Sequence, residues 1–281
     1  MYVGRFAPSP TGPLHFGSLV AALASYMEAR SAKGKWLLRV EDLDKPREQR
    51  GAADAILRAL DAFGLHWDGA VEYQSRRSTL YRDALDRLKA HTYPCGCTRR
   101  EIADSTLAID GARIYGGNCR GGLVSGKTAR TIRIIAEGQI SFIDRVQGAQ
   151  MQHLERDVGD FVLWRADGQF AYQLAVVVDD AEQGITDVVR GADLLDSTAR
   201  QIYLQQRLGY PVPNYLHVPV AVDAAGEKLS KQTGAEAVDP AHRADALRRA
   251  FVFLGQAATD DLAEGVRNWD ASRIPARRAS Q

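Results

Sequence analysis

The sequence has 281 residues, of which 45% are hydrophobic and 25% are charged, and its formal net charge is +1. A chain of this length can bury a full core, as one large domain or two modest ones. The near-zero charge gives no broad positive field, so any nucleic acid must be contacted by local clusters such as Arg76-Arg77 or Arg248-Arg249. No apolar run of about 18 residues and no signal-peptide pattern occurs, so we expect a cytoplasmic protein without a membrane partner.

Strands and helices alternate along most of the chain. The hydrophobic periodicity predicts strands at residues 2–6, 35–40, 186–190 and 217–222, and helices at residues 17–33, 48–63, 172–182, 197–208 and 240–254. This alternation predicts an α/β fold with a parallel sheet and right-handed crossovers. After the last helix we expect only a polar tail.

Residues 93–122 break this alternation, because they are rich in glycine and cysteine and lack periodicity. Cys95, Cys97, Tyr115 and Cys119 form a C-x-C…Y-x-x-x-C array, and three cysteines suit metal ligation better than a disulfide framework. Zinc prefers four ligands, so the array predicts a structural zinc site that stabilises a core-poor segment. Water or His91 are alternatives to Tyr115 as the fourth ligand, and three unpaired buried thiols are the alternative to a metal site.

Residues 5–18 carry the most informative motif, in which a strand runs into a proline-rich loop that opens a helix. The free N–H groups and partial positive charge of a helix N-terminus suit a polyphosphate. Gly12 and Gly17 would let a nucleotide approach the backbone, and His15 would donate a hydrogen bond to phosphate oxygens. The alternative is a stiff turn whose histidine only caps the helix.

This motif resembles the HIGH signature of glutamate-type class I aminoacyl-tRNA synthetases, with His15-Phe16-Gly17-Ser18 in its place. Ser18 stands where the second histidine is usual. Lys228-Leu229-Ser230-Lys231-Gln232 resembles the KMSKS signature of the same family, whose lysines neutralise the leaving pyrophosphate. Residues 39–47, 162–180 and 188–193 continue the likeness, which implies a Rossmann-type parallel sheet, an inserted zinc-bearing acceptor-type subdomain and a short helical C-terminal region.

The resemblance also implies roles for individual residues. Arg5 and Tyr172 would meet the side-chain carboxylate of glutamate, and Ser9, Glu41 and Arg190 would hold its α-amino and α-carboxyl groups. The full implied sets are Arg5, Ala7, Ser9, Glu41, Tyr172 and Arg190 for glutamate; Pro10, Gly12, His15, Gly17 and Lys231 for ATP; and His15, Ser18, Lys228 and Lys231 for catalysis. For Arg5, Glu41 and Arg190 the alternative is an ordinary salt-bridge network at strand ends.

The chain is expected to divide into residues 1–92 and 161–222 as two halves of the nucleotide-binding domain, 93–160 as the insertion and 223–281 as the C-terminal region. It stops before the anticodon-reading region of full glutamyl-tRNA synthetases and is similar to the glutamyl-Q tRNA(Asp) synthetases, a family that transfers glutamate to the cyclopentenediol of queuosine. The likeness implies ATP with Mg²⁺, L-glutamate and queuosine-containing tRNA(Asp) as partners of a monomer. The alternatives are a truncated synthetase that charges tRNA(Glu) and a catalytically silent tRNA-binding paralogue.

Overall fold

A computed structural model describes residues 1–103, 105–108, 111, 113–123, 125–222 and 237–276, and the backbone of residues 279 and 280. The strands are β1 (Val3–Phe6), β2 (Lys35–Val40), β3 (Glu72–Tyr73), β4 (Thr92–Cys95), β5 (Thr131–Ile134), β6 (Gln139–Asp144), β7 (Gly148–His153), β8 (Phe161–Trp164), β9 (Asp187–Gly191), β10 (Asn214–Val218), β11 (Val220–Ala221) and β12 (Ala279–Ser280). The α-helices are α1 (Phe16–Ser31), α2 (Ala52–Ala62), α3 (Ser78–Arg87), α4 (Leu154–Asp157), α5 (Tyr172–Glu182), α6 (Thr198–Leu208), α7 (Arg243–Phe253) and α8 (Leu262–Asn268).

Parallel strands form the centre of the molecule, as the alternating pattern predicted. β1, β2 and β3 pair in parallel, and β9, β10 and β6 do the same, with β7 antiparallel at the edge. The two groups meet where the Thr186 N–H donates to the Val3 carbonyl over 2.9 Å. The α/β class with a parallel sheet is therefore confirmed.

Helices cover both faces of these strands. Val188 and Tyr215 pack into a hydrophobic cluster with α5 and α6, whereas the next residues, Val189 and Leu216, pack into a second cluster with α1 and α7. Successive side chains of a strand point to opposite faces, so this division shows that the sheet is buried on both sides. Strands buried on both faces are expected to be apolar throughout, without alternation between apolar and polar residues.

A separate antiparallel sheet, β4–β5–β8, carries the first cysteines of the predicted insertion. Strand β6, which the insertion was predicted to include, instead pairs with β10 of the parallel sheet. Strand β8 begins after residue 160, the predicted end of the insertion, but pairs with β5, which lies before that boundary. The predicted division of the chain at these boundaries stays a prediction.

The expectation of a purely polar tail is wrong, because α8 packs on the core. Its Gly265 is buried next to Phe251 and Met27, and the Trp269 indole donates to the Glu28 carboxylate over 2.7 Å. The prediction missed α8 because the helix is short and its contact residue is a glycine, which gives no apolar signal. Among the described residues, none of the helices combines the length and apolar character needed to cross a membrane.

Candidate active site

A cavity of about 610 Å³ opens at the carboxyl ends of β1, β2, β9 and β10. Open α/β sheets bind ligands at this edge. Ten of the predicted site residues line it: Arg5, Ala7, Ser9, Pro10, His15, Gly17, Ser18, Glu41, Tyr172 and Arg190. Gly12 lies in the same loop with a φ of 144°, but it is buried and does not line the cavity. Lys228 and Lys231 lie outside the described residues.

His15 is the N-cap of α1. Its Nδ1 accepts a hydrogen bond from the Ser18 N–H over 3.3 Å, and its Nε2 lies 2.9 Å from Ser18 Oγ. Because Nδ1 accepts, the proton of a neutral ring is on Nε2, which donates to the serine hydroxyl. The alternative interpretation of the motif, in which the histidine caps the helix, is therefore correct as far as it goes. Capping fixes the imidazole beside the first turn of α1, at the edge of the cavity.

The proline-rich loop is tied to the chain that follows β2. The Glu41 N–H donates to the Pro8 carbonyl and the Gln49 N–H to the Pro10 carbonyl, both over 2.9 Å. On its other side, Ala237 forms an antiparallel bridge with His15, while Ala221 lines the cavity. In sequence, both residues flank the segment that holds Lys228 and Lys231.

Arg5 is part of a buried ion network. Its Nε and Nη2 donate to the two oxygens of Asp180 over 3.0 and 3.1 Å, and Arg39 donates to the same carboxylate over 2.8 Å. Burial opposes ionisation of Asp180, but the two guanidinium groups still hold its pKa below the usual range. Arg5 therefore takes part in the salt-bridge network that was the alternative interpretation, and it also lines the cavity.

Glu41 sits at the edge of this network with little solvent exposure. Its carboxylate accepts from Arg39 Nη2 over 3.4 Å. Burial raises the pKa of Glu41 to about 7, although the charges of Arg39 and Arg5 act in the opposite direction. A carboxyl group so placed changes its charge near neutral pH and would gain from a cationic ligand.

Arg190 is a buried cation surrounded by neutral acceptors. Its Nη1 donates to Gln201 Oε1 over 2.9 Å and to the Tyr172 hydroxyl over 3.4 Å, and its Nη2 donates to Thr198 Oγ1 over 3.0 Å. In the part of the chain that the structure describes, none of the ion pairs involves Arg190. A buried guanidinium without a carboxylate partner makes this end of the cavity selective for an anion.

Two further residues beside Arg190 were missed by the sequence reasoning. Arg190 Nε donates to His217 Nε2 over 2.9 Å, and His217 Nδ1 lies 2.6 Å from Asp144 Oδ2. Burial lowers the pKa of His217 to about 4, and the Arg190 charge acts in the same direction against the Asp144 hydrogen bond. A histidine inside an apolar strand was the available signal, but the pairing of β6 with β10 is what brings Asp144 to it.

The three cysteines of the predicted metal array come together about β4. The sulfur atoms of Cys95, Cys97 and Cys119 lie within 4.8 Å of one another and could hold a metal ion. The Tyr115 hydroxyl lies 3.4 Å from Cys95 Sγ and 3.3 Å from Cys97 Sγ. Burial raises the pKa of Tyr115, and hydrogen bonds with the cysteines act in the same direction. Tyr115 thus accompanies the thiols as a neutral phenol unless a cation displaces its proton.

Comparison with known proteins agrees with this geometry. Residues 2–254 match the family of "tRNA synthetases class I (E and Q), catalytic domain". The chain is 62% identical over 269 residues to the glutamyl-Q tRNA(Asp) synthetase of Dechloromonas aromatica, covering 94% of this chain and 89% of that protein. It is 60% identical over 257 residues to the enzyme of the same name from Aromatoleum aromaticum, covering 91% and 82%.

A solved structure shows the same fold. The glutamate-tRNA synthetase of Elizabethkingia anophelis superposes with a TM-score of 0.83 at 25% identity, covering 99% of this chain and 67% of that one. The superposition thus covers nearly the whole of this chain. The chain belongs to the class I tRNA synthetases (E and Q), and within them to the glutamyl-Q tRNA(Asp) synthetase family.

Proposed function

We propose that this protein activates L-glutamate with ATP and transfers the glutamyl group to the queuosine cyclopentenediol of tRNA(Asp). The observation that carries the proposal is one cavity lined by the His15 loop, the buried Glu41 carboxyl group and the buried Arg190 guanidinium. The relatives named glutamyl-Q tRNA(Asp) synthetase support the acceptor, because they match this chain over most of both lengths.

The α-carboxylate and the α-ammonium group of glutamate are each held by a protein group of opposite charge. Arg190 takes the α-carboxylate, since its buried charge has no carboxylate partner among the described residues, and Glu41 and Ser9 take the α-ammonium group. Arg5 and Tyr172 meet the side-chain carboxylate. Glutamine is disfavoured because its uncharged amide interacts less strongly with the Arg5 guanidinium than a carboxylate does.

ATP lies along the proline-rich loop and the N-terminus of α1. Pro10 and Gly17 line the cavity and leave the backbone open to the nucleotide, whereas the buried Gly12 shapes the loop between them. The His15 Nε2–H, which donates to Ser18 Oγ in this structure, can exchange that oxygen for a phosphate oxygen as its acceptor. Lys228 and Lys231 neutralise the pyrophosphate. Ala221 and Ala237, which lie near the two ends of their segment, support this role by their position at the cavity and at His15.

The reaction has two steps. A glutamate carboxylate oxygen attacks the α-phosphorus of ATP in line, the bond to the β,γ-pyrophosphate breaks, and glutamyl-adenylate forms. A hydroxyl of the cyclopentenediol then attacks the acyl carbon and AMP leaves. Mg²⁺ bound with ATP supplies further charge neutralisation on the phosphates.

The cysteine cluster is proposed to hold a structural zinc ion. Zn–S distances of about 2.3 Å place sulfur atoms roughly 3.8 Å apart around a tetrahedral ion. The Cys97–Cys119 sulfur separation of 3.6 Å fits that edge, and the Tyr115 hydroxyl stands near two of the sulfurs in the fourth position. We assign Cys95, Cys97, Tyr115 and Cys119 as the ligands.

The protein is proposed to act as a cytoplasmic monomer on tRNA. Cys95, Cys97 and Cys119 lie close together without forming a disulfide, which suits a reducing compartment. Acceptor recognition is proposed to use the cavity mouth, where Arg47 and Arg165 lie beside the glutamate site. Their guanidinium groups suit the phosphates of a stem-loop.

The test is an assay with ATP, labelled glutamate and tRNA(Asp) that contains or lacks queuosine. We expect glutamate-dependent pyrophosphate exchange, and label that enters only the queuosine-containing tRNA and survives removal of the 3′ end. Labelling of tRNA(Glu) at its 3′ end would instead identify a conventional synthetase. Absence of exchange with every amino acid would identify a silent tRNA-binding paralogue.

A further inference from the structure

We propose that Asp144 and His217 are positioning residues that hold Arg190 ready for the substrate α-carboxylate by fixing the tautomer of the histidine ring. The inference rests on the proposed function, because Arg190 is taken there as the carboxylate-binding group. Neither residue lines the cavity, so both act through Arg190.

The three residues lie side by side on adjacent parallel strands. His217 of β10 is in register with Arg190 of β9, and Tyr215 of the same strand is in register with Asp144 of β6. All of them are buried, with His217 and Asp144 at 0% and 1% exposure. The row therefore runs across three strands, from Asp144 on β6 through His217 to Arg190 at the cavity, and all three side chains are buried.

The hydrogen bonds admit a single tautomer of His217. The Asp144 carboxylate can only accept, so His217 Nδ1, 2.6 Å from it, carries the proton. The Arg190 Nε–H can only donate, so His217 Nε2, 2.9 Å from it, is the acceptor. Protonation of both ring nitrogens would place the His217 Nε2–H against the Arg190 Nε–H, so that neither could accept. Burial keeps the His217 ring neutral by lowering its pKa to about 4.

A neutral acceptor in this place has a consequence for the ligand. A carboxylate bonded to Arg190 Nε would orient the guanidinium but cancel its charge, whereas an imidazole nitrogen orients it and leaves the charge for the substrate. Gln201, Thr198 and Tyr172, the other side chains that accept from Arg190, are neutral too. Preorganisation of a buried guanidinium removes rotamer entropy that ligand binding would otherwise have to overcome.

The orientation of Asp144 is itself fixed by backbone groups, which makes Asp144→Asn the informative variant. Asp144 Oδ1 accepts from the N–H groups of Val146, Gln147 and His217 over 3.0, 2.8 and 3.2 Å. An asparagine would keep its oxygen there and turn its NH₂ toward His217. The ring must then accept at Nδ1 and carry its proton on Nε2, against the Arg190 Nε–H.

The experiment measures glutamate-dependent pyrophosphate exchange by the full-length protein. For Asp144→Asn we expect KM for glutamate to rise at least about tenfold, the size typical of lost support for a binding group, with KM for ATP and kcat within about threefold. His217→Gln, whose side-chain oxygen can accept from Arg190, should lie closer to the wild type than His217→Leu does. Nitrogen-15 spectra of labelled histidine should show the proton moved from Nδ1 to Nε2 in Asp144→Asn.

Asp187→Asn is the matched control, because Asp187 is also buried but lies at the opposite end of β9, where it accepts from Asn214. It should leave KM for glutamate unchanged whatever it does to stability. An Asp144→Asn variant that loses thermal stability but keeps the wild-type KM would overturn the positioning role. Absence of exchange in the wild type would count against the proposed function, whereas the histidine spectra would still report the tautomer.

Discussion

At the scale of single residues, the electrostatics of the site depend on how burial sets the charge of each ionisable side chain, which the sequence alone does not show. Asp180 stays ionised because two guanidinium groups share it, whereas the nearby Glu41 has a pKa of about 7 because burial outweighs Arg39 and Arg5. The side chains that accept from Arg190 among the described residues are neutral, so they leave its charge uncompensated. Burial and neighbouring charges thus give different charge states to Glu41 and Arg190, which line the cavity, and to Asp180 behind it.

Glutamate binding should depend on pH through Glu41. Only the ionised carboxylate attracts the α-ammonium group, and protonation becomes dominant as pH falls through the Glu41 pKa of about 7. We therefore expect KM for glutamate to be flat above pH 8 and to rise toward tenfold per pH unit below about pH 6. Steady-state kinetics at fixed ionic strength measure this. The Glu41→Gln variant should bind weakly with no slope in this range, and a wild-type KM independent of pH from 5.5 to 8 would contradict the role.

Replacing Asp180 by asparagine should destabilise the fold strongly. The change leaves the buried Arg5 and Arg39 without their shared carboxylate, and removing one partner of a buried pair costs about 3–5 kcal/mol in the free energy of unfolding. Urea denaturation gives the measurement. Asp260→Asn is the control, because its ion pair with Arg248 is exposed and should contribute less than about 1 kcal/mol. Equal losses in the two variants would contradict the network's importance.

At the scale of elements, the cysteine cluster depends on close backbone contacts as well as on its ligands. Gly159 forms a bridge with Tyr115, and the Asp160 N–H donates to the Tyr115 carbonyl over 3.1 Å. The Asp160 carboxylate also accepts from Arg120 and Tyr93. The turn before β8 therefore positions Tyr115 beside the thiols, although it is distant from them in sequence.

A methyl group at Gly159 should break this arrangement. The residue has a φ of +69°, and an added Cβ would lie 2.6 Å from the Tyr115 nitrogen and 2.9 Å from its oxygen. Gly184 has a similar φ of +65° with open space around it, so Gly184→Ala measures the backbone strain alone, about 1–2 kcal/mol. We expect Gly159→Ala to lose clearly more stability and to retain less zinc after mild chelation, measured by thermal melts and metal analysis. Equal effects at the two glycines would contradict this.

At the scale of the whole molecule, residues beyond 254 complete the core around helix α1. Helix α1 is buried between the sheet and helices α7 and α8, and Glu28 of α1 accepts from Trp269 and Arg145. At the opposite end of α1 lie its N-cap, His15, and the cavity. The segment beyond residue 254 thus helps to fix the helix whose N-terminus lies at the cavity.

Enlarging Gly265 should therefore destabilise the protein. An added Cβ would lie 2.8 Å from Cε1 of the buried Phe251 ring and 3.3 Å from the Met27 methyl group, and overpacking of this kind costs about 1–3 kcal/mol. Arg267→Ala, an exposed change in the same helix, should change stability by less than about 0.5 kcal/mol. The midpoint of urea unfolding tests both. A Gly265→Ala variant as stable as the wild type would show that α8 contributes little.

Ten of the residues that the family resemblance implied for the site line the cavity. The sequence by itself determined the α/β alternation, the helix at residues 172–182 and the strand at residues 35–40, because these follow from local periodicity and turn chemistry. It could not determine that Asp180 pairs with Arg5, that Asp144 reaches His217, or that a glycine anchors α8. Those contacts join residues far apart in the chain. Only the packed sheet decides them, because strand order sets which side chains meet, and burial then sets the charge that each one carries.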